Sequence, residues 1–221
     1  VINNRGFDEG DFGTPEREYQ KSDTDQANRF DRHTEACNSV GTQSWGYRKD
    51  EDYYTTQFLM QSIDAMMAKG AHHLLNVGPD ANGRIPDVAS DILQEIGEWY
   101  KGAREAFSDT VPCSELTTNG QVLLTRRDNT IYVHLGVPVR ADAILLPPLS
   151  LLPLTATVLN TGDDLDCSID VVPIHWNNRS QVLRVTGIPR PSLPGSATVI
   201  LKPEFESDSL NPLSEVKEFQ G

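Results

Sequence analysis

The sequence predicts an α/β segment followed by an all-β module: the C-terminal portion of a (β/α)8-like barrel followed by an antiparallel β-sandwich. Two segments of the first half have the apolar spacing of amphipathic helices, with a short apolar strand between them. The second half contains short β-branched runs separated by turn residues. The few strands and helices of the first half would leave strand edges and helix faces uncovered if they formed a domain alone. We therefore expect the chain to begin inside a barrel strand whose earlier neighbours lie elsewhere.

Changes of composition divide the chain into three parts. We predict barrel elements over residues 1–109, a β-sandwich over residues 110–203 and a loose acidic tail over residues 204–221. The tail is predicted because Glu, Asp and Ser outnumber the apolar residues there, which leaves little surface to bury.

The first predicted helix covers about residues 53–69. Its apolar residues share one broad face: Phe58, Leu59, Ile63, Met66 and Met67. The pair Lys69 and Gly70 is typical of a helix end, because glycine readily adopts the conformation that follows a last turn. The next run, HHLLNVGPD, indicates a short buried strand that leaves into a turn.

The second predicted helix begins at Asp87, which we expect to be its N-cap because it follows Pro86. Apolar residues then recur in steps of three and four: Val88, Ile92, Ile96, Trp99, Ala103 and Phe107. This spacing predicts an amphipathic helix with the whole stripe turned inward. Trp99 is therefore expected to pack in the core.

The predicted sandwich consists of short strands at intervals of about a dozen residues. The runs are QVLLTRRDNTIYVHLG, AILLPPL, TATVLNTG, CSIDVVPI, QVLRVTGI and SATVILKP. Asp-Asn, Asn-Thr-Gly and Pro-rich turns separate them, which is typical of an antiparallel arrangement.

Composition excludes several classes of partner. Acidic residues outnumber basic ones by 32 to 19, which argues against nucleic-acid binding because phosphate contacts need clustered Lys and Arg. No apolar run approaches the ~20 residues that span a bilayer, so no membrane partner is expected. The odd number and wide spacing of Cys37, Cys113 and Cys167 predict buried or half-buried thiols rather than disulfides or a metal site. We expect no metal and no other cofactor.

Residues of the types found in glycosidase sites follow the predicted strands. The opening VINNR would place Asn3, Asn4 and Arg5 at the C-terminal end of a barrel strand, where catalytic groups of such barrels lie. A later segment, TEACNSVGTQSWGYRKD, brings Glu35 and Trp45 to the same face. Carboxylates can act as acid/base and nucleophile, an arginine can bind hydroxyls, and an aromatic ring can pack on a sugar.

Three segments resemble consecutive signatures of the retaining α-L-fucosidases, glycoside hydrolase family 29. They are NNRGFDEGDFGTPE, TEACNSVGTQSWGYRKDED and LLNVGPDANGRIPDVASDILQEIGEWYKGAREAF. The resemblance covers about residues 1–107, and the third segment is the most specific. It implies a barrel followed by a sandwich, and a double-displacement hydrolysis of terminal α-linked L-fucose, with a lean to α-1,3/1,4 linkages.

The resemblance also implies roles for individual residues. Glu16, which closes the Thr-Pro-Glu motif, corresponds to the general acid/base, and Glu35 is the alternative. Arg5 resembles the arginine that reaches the fucose hydroxyls. Trp45 matches the aromatic residue that packs on the C5-methyl side of the sugar.

The catalytic nucleophile of the family is an Asp in a Trp-x-Asp segment on an earlier barrel strand, and this chain has no such segment. The nearest candidates, Asp50 and Asp52, lie in a charged run and are expected to be solvated. The resemblance therefore implies that the N-terminal half of the barrel, or a chain that supplies it, completes the site.

Two departures from the family pattern affect this site. His72 and His73 stand before Leu-Leu-Asn, and adjacent strand residues point to opposite faces, so they are not expected to share a metal. Thr34 stands where the family usually has Trp.

Alternatives to the enzyme remain open. The chain could be a non-catalytic carbohydrate-binding protein derived from a fucosidase, or the sandwich alone could have a structural role. A fucosylated glycan is the expected ligand, and a homo-oligomer is possible. The compartment stays open among secreted, periplasmic and lysosomal.

Overall fold

The structure is a computed structural model of the 221-residue chain. It describes residues 1–5, 10–17, 29–30, 32–136, 141–175, 178–189, 198–207 and 209–210.

The first part of the chain builds a parallel array. Strands β1 (Glu35–Ser39) and β2 (His72–Asn76) pair in parallel, with Cys37 opposite Leu74. The two stretches before β1 extend the array by isolated parallel bridges, which are Asn3–Phe12, Gly13–Thr34 and Glu16–Cys37. Four successive stretches therefore run side by side in one direction, as the strands of a (β/α) barrel do.

Helix α1 (Thr56–Ala68) connects β1 to β2. It begins after Thr55, whose side chain accepts a hydrogen bond from the backbone N–H of Phe58 at 3.2 Å. It ends at Lys69, and Gly70 follows with φ of +88°. The predicted helix over residues 53–69 is confirmed, with a start three residues later.

Helix α2 (Asp87–Ala103) continues into a 3₁₀ turn at Arg104–Phe107. The predicted N-cap is wrong: Pro86 occupies that position, without a side-chain hydrogen bond, and Asp87 is the first helical residue. The inward position of Val88 is also wrong, since its side chain is 52% exposed. Ala89 is buried instead, because a period of 3.6 residues counted back from Ile96 reaches position 89 rather than 88.

Within the described residues, the second part of the chain contains eight antiparallel strands. They are β3 (Val111–Pro112), β4 (Leu123–Arg127), β5 (Thr130–Leu135), β6 (Ala143–Leu146), β7 (Thr155–Val158), β8 (Asp166–His175), β9 (Asn178–Thr186) and β10 (Val199–Glu204). One sheet has the order β3-β4-β5-β10-β7 and the other β6-β9-β8. Each predicted run contains at least one of these strands over its described residues, while residues 196–197 of the last run lie outside the described part. Among the described strands, the two-residue β3 alone was not predicted.

Two apolar clusters make up most of the core. The first lies in the sandwich and includes Leu124, Val133, Leu183 and Leu201. The second joins α1 and α2 to the outer side of the five-stranded sheet, where Tyr132 and Ile200 are fully buried.

Trp99 belongs to this second cluster, as predicted, and its indole N–H donates to the backbone carbonyl of Thr198 at 3.0 Å. The helices of the first part therefore pack directly on the sandwich. The boundary between residues 109 and 110 stays a prediction.

The predicted loose tail begins too early. Glu204 is the last residue of β10, and Phe205 and Leu210 are buried in the sandwich core. The backbone N–H of Phe205 also donates to the carbonyl of Asn129 at 2.9 Å. Residues 204–207 and 209–210 thus belong to the sandwich, and residues 211–221 lie outside the described part of the chain.

The three cysteines are free thiols; Cys37 and Cys113 are buried and Cys167 is half-buried, as predicted. Within the described residues, no group of three or more His, Cys, Asp or Glu side chains is arranged to hold a metal ion. No helix in that part of the chain combines the length and the apolar character needed to cross a lipid bilayer.

Candidate active site

A cavity of about 370 Å³ opens on one face of the parallel array. The four residues singled out in the sequence, Arg5, Glu16, Glu35 and Trp45, all line it. The remaining lining residues are Asn3, Thr14, Cys37, Leu74 and Asn76. Residues from four separate segments therefore meet at one hollow.

Strand alternation explains which side chains reach the cavity. Glu35 and Cys37 are two residues apart on β1, so both point to the cavity face, whereas the intervening Ala36 is buried on the opposite side. Leu74 and Asn76 on β2 have the same spacing. This parity was available in the sequence and would have identified Cys37 once Glu35 was chosen, whereas Leu74 and Asn76 follow only from the register of β2 against β1.

The register sets the two glutamates at different levels. Glu16 bridges to Cys37, in the middle of β1, whereas Glu35 is the first residue of that strand. Because the array is parallel, Glu16 lies nearer the C-terminal ends of the strands than Glu35 does. Glu35 reaches the expected face of the array, but it does so from the first residue of β1.

Arg5 makes polar contacts with three neighbours in the cavity wall. One guanidinium nitrogen, Nη1, forms an ion pair with Oε1 of Glu16. Nε donates to the hydroxyl of Thr14 at 3.0 Å, and Nη2 contacts the sulfur of Cys37 at 3.5 Å. The side chains of Arg5 and Glu16 remain 47% and 39% exposed, so both are accessible to a ligand.

The thiol of Cys37 lies between Arg5 and Glu35. Its sulfur is 4.0 Å from Oε1 of Glu35. Burial raises the pKa of the Cys37 thiol, the charges of Glu35 and Glu16 raise it further, and Arg5 offsets only part of this. The thiol is thus a neutral side chain, and it is a poor nucleophile in this setting.

The indole of Trp45 forms another wall of the cavity. Trp45 lies in the loop after β1 and is 38% exposed, so it is not a core tryptophan. The guanidinium of Arg17 lies over its ring, with the central carbon 4.4 Å from the ring centroid. The side-chain amide of Asn76 donates to the backbone carbonyl of Trp45 at 2.6 Å.

The remaining candidates lie where the sequence predicted. Asp50 and Asp52 are exposed and do not line the cavity. His72 is exposed and His73 is half-buried, in keeping with side chains on opposite faces of β2. The hydroxyl of Thr34 is turned away from the cavity in a hydrogen bond of 3.1 Å to the carbonyl of Arg32.

Comparisons with known proteins point to one family. Residues 1–105 match the family model described as alpha-L-fucosidase. The tissue alpha-L-fucosidase of Bos taurus is 26% identical over 144 residues, which are 63% of this chain and 31% of that protein. The plasma alpha-L-fucosidase of Homo sapiens is 33% identical over 79 residues, which are 34% of this chain and 17% of that protein.

Solved structures match over nearly the whole chain. An alpha-L-fucosidase from Vibrio sp. strain EJY3 has a TM-score of 0.74 at 19% identity and covers 94% of this chain and 36% of its own. Alpha-L-fucosidase isoenzyme 1 from Paenibacillus thiaminolyticus has a TM-score of 0.70 at 23% identity, covering 90% and 46%. At these identities the matches show the fold, the C-terminal part of a (β/α) barrel followed by a β-sandwich. The chain spans less than half the length of each.

Proposed function

We propose that the complete protein is a retaining α-L-fucosidase of glycoside hydrolase family 29, since residues 1–105 match the alpha-L-fucosidase family model. It hydrolyses terminal α-linked L-fucose from glycans. The observation that carries the proposal is the convergence of Arg5, Glu16, Glu35 and Trp45 on a single cavity. The fucosylated glycan is then the substrate, and the cavity holds its terminal sugar.

Glu16 is the proposed general acid/base. It protonates the glycosidic oxygen as the bond to the sugar breaks, and it later accepts a proton from the water that releases the sugar. Its level in the array supports this role, because catalytic groups of such barrels lie toward the C-terminal ends of the strands. Glu35 is the alternative. It lies two residues before Cys37, the bridge partner of Glu16, and so nearer the N-terminal ends of the strands.

Arg5 and Trp45 are the proposed sugar-binding residues. The half-exposed guanidinium of Arg5 can donate to sugar hydroxyls, while the indole of Trp45 offers a flat apolar surface to the C5-methyl side. Arg5 is paired with Glu16. Sugar hydroxyls that bind Arg5 would compete for this ion pair, and the freed carboxylate of Glu16 can then take up a proton from solvent and act as the acid.

The nucleophile in this proposal is an aspartate from the remaining barrel strands, supplied by the rest of the polypeptide or by another copy of it in a homo-oligomer. The Thr14-Pro15-Glu16 motif further supports a preference for α-1,3/1,4 linkages. The linkage preference is tested below with linkage isomers.

One observation favours the alternative, a carbohydrate-binding protein without turnover. No aspartate lines the cavity among the residues that the structure describes. Such a protein would bind a fucosylated glycan through Arg5 and Trp45 without cleaving it.

The test compares Glu16→Gln and Glu35→Gln in the complete protein on an aryl α-L-fucoside and on α-1,3-, α-1,4- and α-1,2-fucosylated oligosaccharides. Glu16→Gln should lose most turnover on the oligosaccharides and much less on the aryl fucoside, because a good leaving group needs little acid assistance. Glu95→Gln, on the exposed side of α2, is the matched control.

If Glu16→Gln lost the same fraction of turnover on the oligosaccharides and on the aryl fucoside, the assignment of Glu16 would be contradicted. If Glu35→Gln instead lost turnover mainly on the oligosaccharides, Glu35 would be the general acid/base. Binding of the oligosaccharides without any hydrolysis by the unmodified protein would favour the carbohydrate-binding alternative.

A further inference from the structure

We propose that Arg17 and Asn76 are positioning residues that hold Trp45 in the wall of the cavity, so that one face of the indole is presented to the sugar. This inference rests on the proposed function for the role of Trp45, but the contacts that carry it are independent of any reaction. Neither residue was predicted from the sequence to act on Trp45.

Arg17 reaches Trp45 from the segment that carries Glu16. Its backbone N–H donates to the carbonyl of Cys37 at 3.2 Å, which ties it to the middle of β1. Its Nη1 donates to the carbonyl of Thr42 at 2.7 Å, and its guanidinium lies 4.4 Å from the centroid of the Trp45 ring. A single side chain therefore attaches the loop after β1 to the segment of Glu16.

The conformation of Arg17 supports a specific placement. Its φ of +52° lies in the left-handed region, which residues with a side chain rarely adopt and which costs of order 1 kcal/mol. Glu16 and Arg17 are consecutive, so their side chains leave the chain in different directions: Glu16 lines the cavity, and Arg17 is not among its lining residues. We infer that Arg17 covers the indole face that is turned away from the cavity.

Asn76 supports the same loop from the other side. It is the last residue of β2, its carbonyl accepts from the backbone N–H of Val40 at 3.0 Å, and its side-chain amide donates to the carbonyl of Trp45 at 2.6 Å. Asn76 thus fixes the backbone of Trp45, while Arg17 fixes its ring. The two contacts leave the indole little freedom to turn out of the cavity wall.

Typical interaction energies set bounds on how much sugar-binding affinity is lost without either contact. A cation–π contact contributes about 0.5–1 kcal/mol at an exposed site, and a hydrogen bond contributes about 0.5–1.5 kcal/mol. Loss of either support should therefore weaken sugar binding by roughly threefold to tenfold. Because neither side chain is assigned to the reacting atoms, the loss should appear in KM rather than in kcat.

The experiment uses Arg17→Met, which removes the cation, and Asn76→Leu, which keeps a similar size, removes the amide donor and adds no charge, in the complete protein. Arg48→Met is the matched control, since Arg48 is an exposed arginine three residues after Trp45 that does not line the cavity. KM and kcat are measured on an aryl α-L-fucoside. Acrylamide quenching of Trp45 fluorescence is measured without substrate, as the difference between each variant and the same variant carrying Trp45→Phe.

Arg17→Met and Asn76→Leu are both expected to increase the quenching of Trp45 and to raise KM about threefold to tenfold, with kcat within about twofold of the original value. Arg48→Met should change neither quantity. Unchanged quenching in both variants would overturn the inference, as would a loss confined to kcat. If the unmodified protein hydrolyses no fucoside, the proposed function fails, and the quenching measurement still decides whether these residues position Trp45.

Discussion

Nδ1 of His134 lies 2.7 Å from Oδ1 of Asp64, and both side chains are almost completely buried. Asp64 belongs to α1, on the barrel side, whereas His134 belongs to β5 of the sandwich. The other ring nitrogen of His134, Nε2, is 3.0 Å from the hydroxyl of Thr125 on β4. A chain of three buried polar groups therefore crosses the interface between the two parts of the fold.

We predict that Asp64→Ala strongly destabilises the protein. The change removes the acceptor for Nδ1 of His134 and leaves that nitrogen buried without a partner, which costs about 2–4 kcal/mol of the free energy of unfolding. Urea denaturation of the complete protein measures this loss. Asp170→Ala is the control, because the pair of Asp170 with Arg184 is 34% and 46% exposed and should contribute less than about 1 kcal/mol. A similar small loss in both variants would contradict the prediction.

The contact between Asp64 and His134 could not be predicted from the sequence. Helices and strands were predicted because their apolar periods of 3.6 and 2 residues are local properties of the chain. Asp64 and His134 are 70 positions apart, and their partnership depends on how α1 docks on the sheet. Residue type alone does not encode that docking.

The same limit applies to the candidate site, where some residues were predicted from the sequence and others were not. Arg5, Glu16, Glu35 and Trp45 were predicted because a motif carried them. Arg17 was not, because its partners are a ring and a backbone carbonyl 25 or more positions away, and backbone carbonyls have no signature in the sequence.

His73 should make stability depend on pH. Burial lowers the pKa of His73 from 6.5 to about 4. The unfolded chain therefore binds a proton at this residue below about pH 6.5, while the folded chain does not until about pH 4. The free energy of unfolding falls as the pH decreases through this window and is fully retained above it. At about 1.4 kcal/mol per pH unit over about 2.5 units, the contribution is of order 3 kcal/mol.

The measurement compares the free energy of unfolding at about pH 7 and about pH 4.5 for the unmodified protein and for His73→Gln. Glutamine does not titrate, so the variant should lose less stability on acidification. His72→Gln is the matched control, because His72 is the exposed neighbour on the same strand. Parallel pH curves for His73→Gln and the unmodified protein would show that His73 is not responsible.

Gly78 should tolerate no side chain. A Cβ atom there would lie 2.4 Å from the carbonyl carbon of Gly46 and 2.5 Å from the backbone nitrogen of Tyr47. Both are backbone atoms of the loop that carries Trp45, so Gly78→Ala must displace that loop, at a cost of about 1–3 kcal/mol. The midpoint of thermal unfolding should fall, and KM for an aryl fucoside should rise with it.

Gly97 provides the matched comparison for Gly78. It lies inside α2, and a Cβ atom at this position would meet no heavy atom within 4 Å. Because alanine favours the helix over glycine, Gly97→Ala should raise stability by up to about 1 kcal/mol. Equal effects of the two substitutions would mean that the approach of Gly78 to Gly46 is looser than the geometry indicates.

Glu105 is the centre of a second polar link between the helices and the sandwich. Its Oε1 accepts from the hydroxyl of Tyr132 at 2.8 Å, from Nζ of Lys202 at 2.9 Å and from Nη2 of Arg127 at 3.2 Å. Burial acts to raise the pKa of Glu105, but hydrogen bonds from Lys202 and Tyr132 and the two positive charges outweigh it, so the pKa lies below its ordinary value. Glu105 also raises the pKa of Lys202.

We predict that Glu105→Gln lowers stability at neutral pH by about 1 kcal/mol, a modest value because the carboxylate is 36% exposed and solvent screens it. A lowered pKa in the folded state means that the contribution of Glu105 is present above its ordinary value of 4.5 and is lost as the pH falls below it. The variant and the unmodified protein should therefore converge in thermal midpoint on acidification. Glu98→Gln, on an exposed position of α2, should leave the thermal midpoint unchanged at neutral and at acidic pH. A gap between Glu105→Gln and the unmodified protein that stays constant down to about pH 3 would contradict the charge-based account and leave only the shape of the side chain to explain the loss.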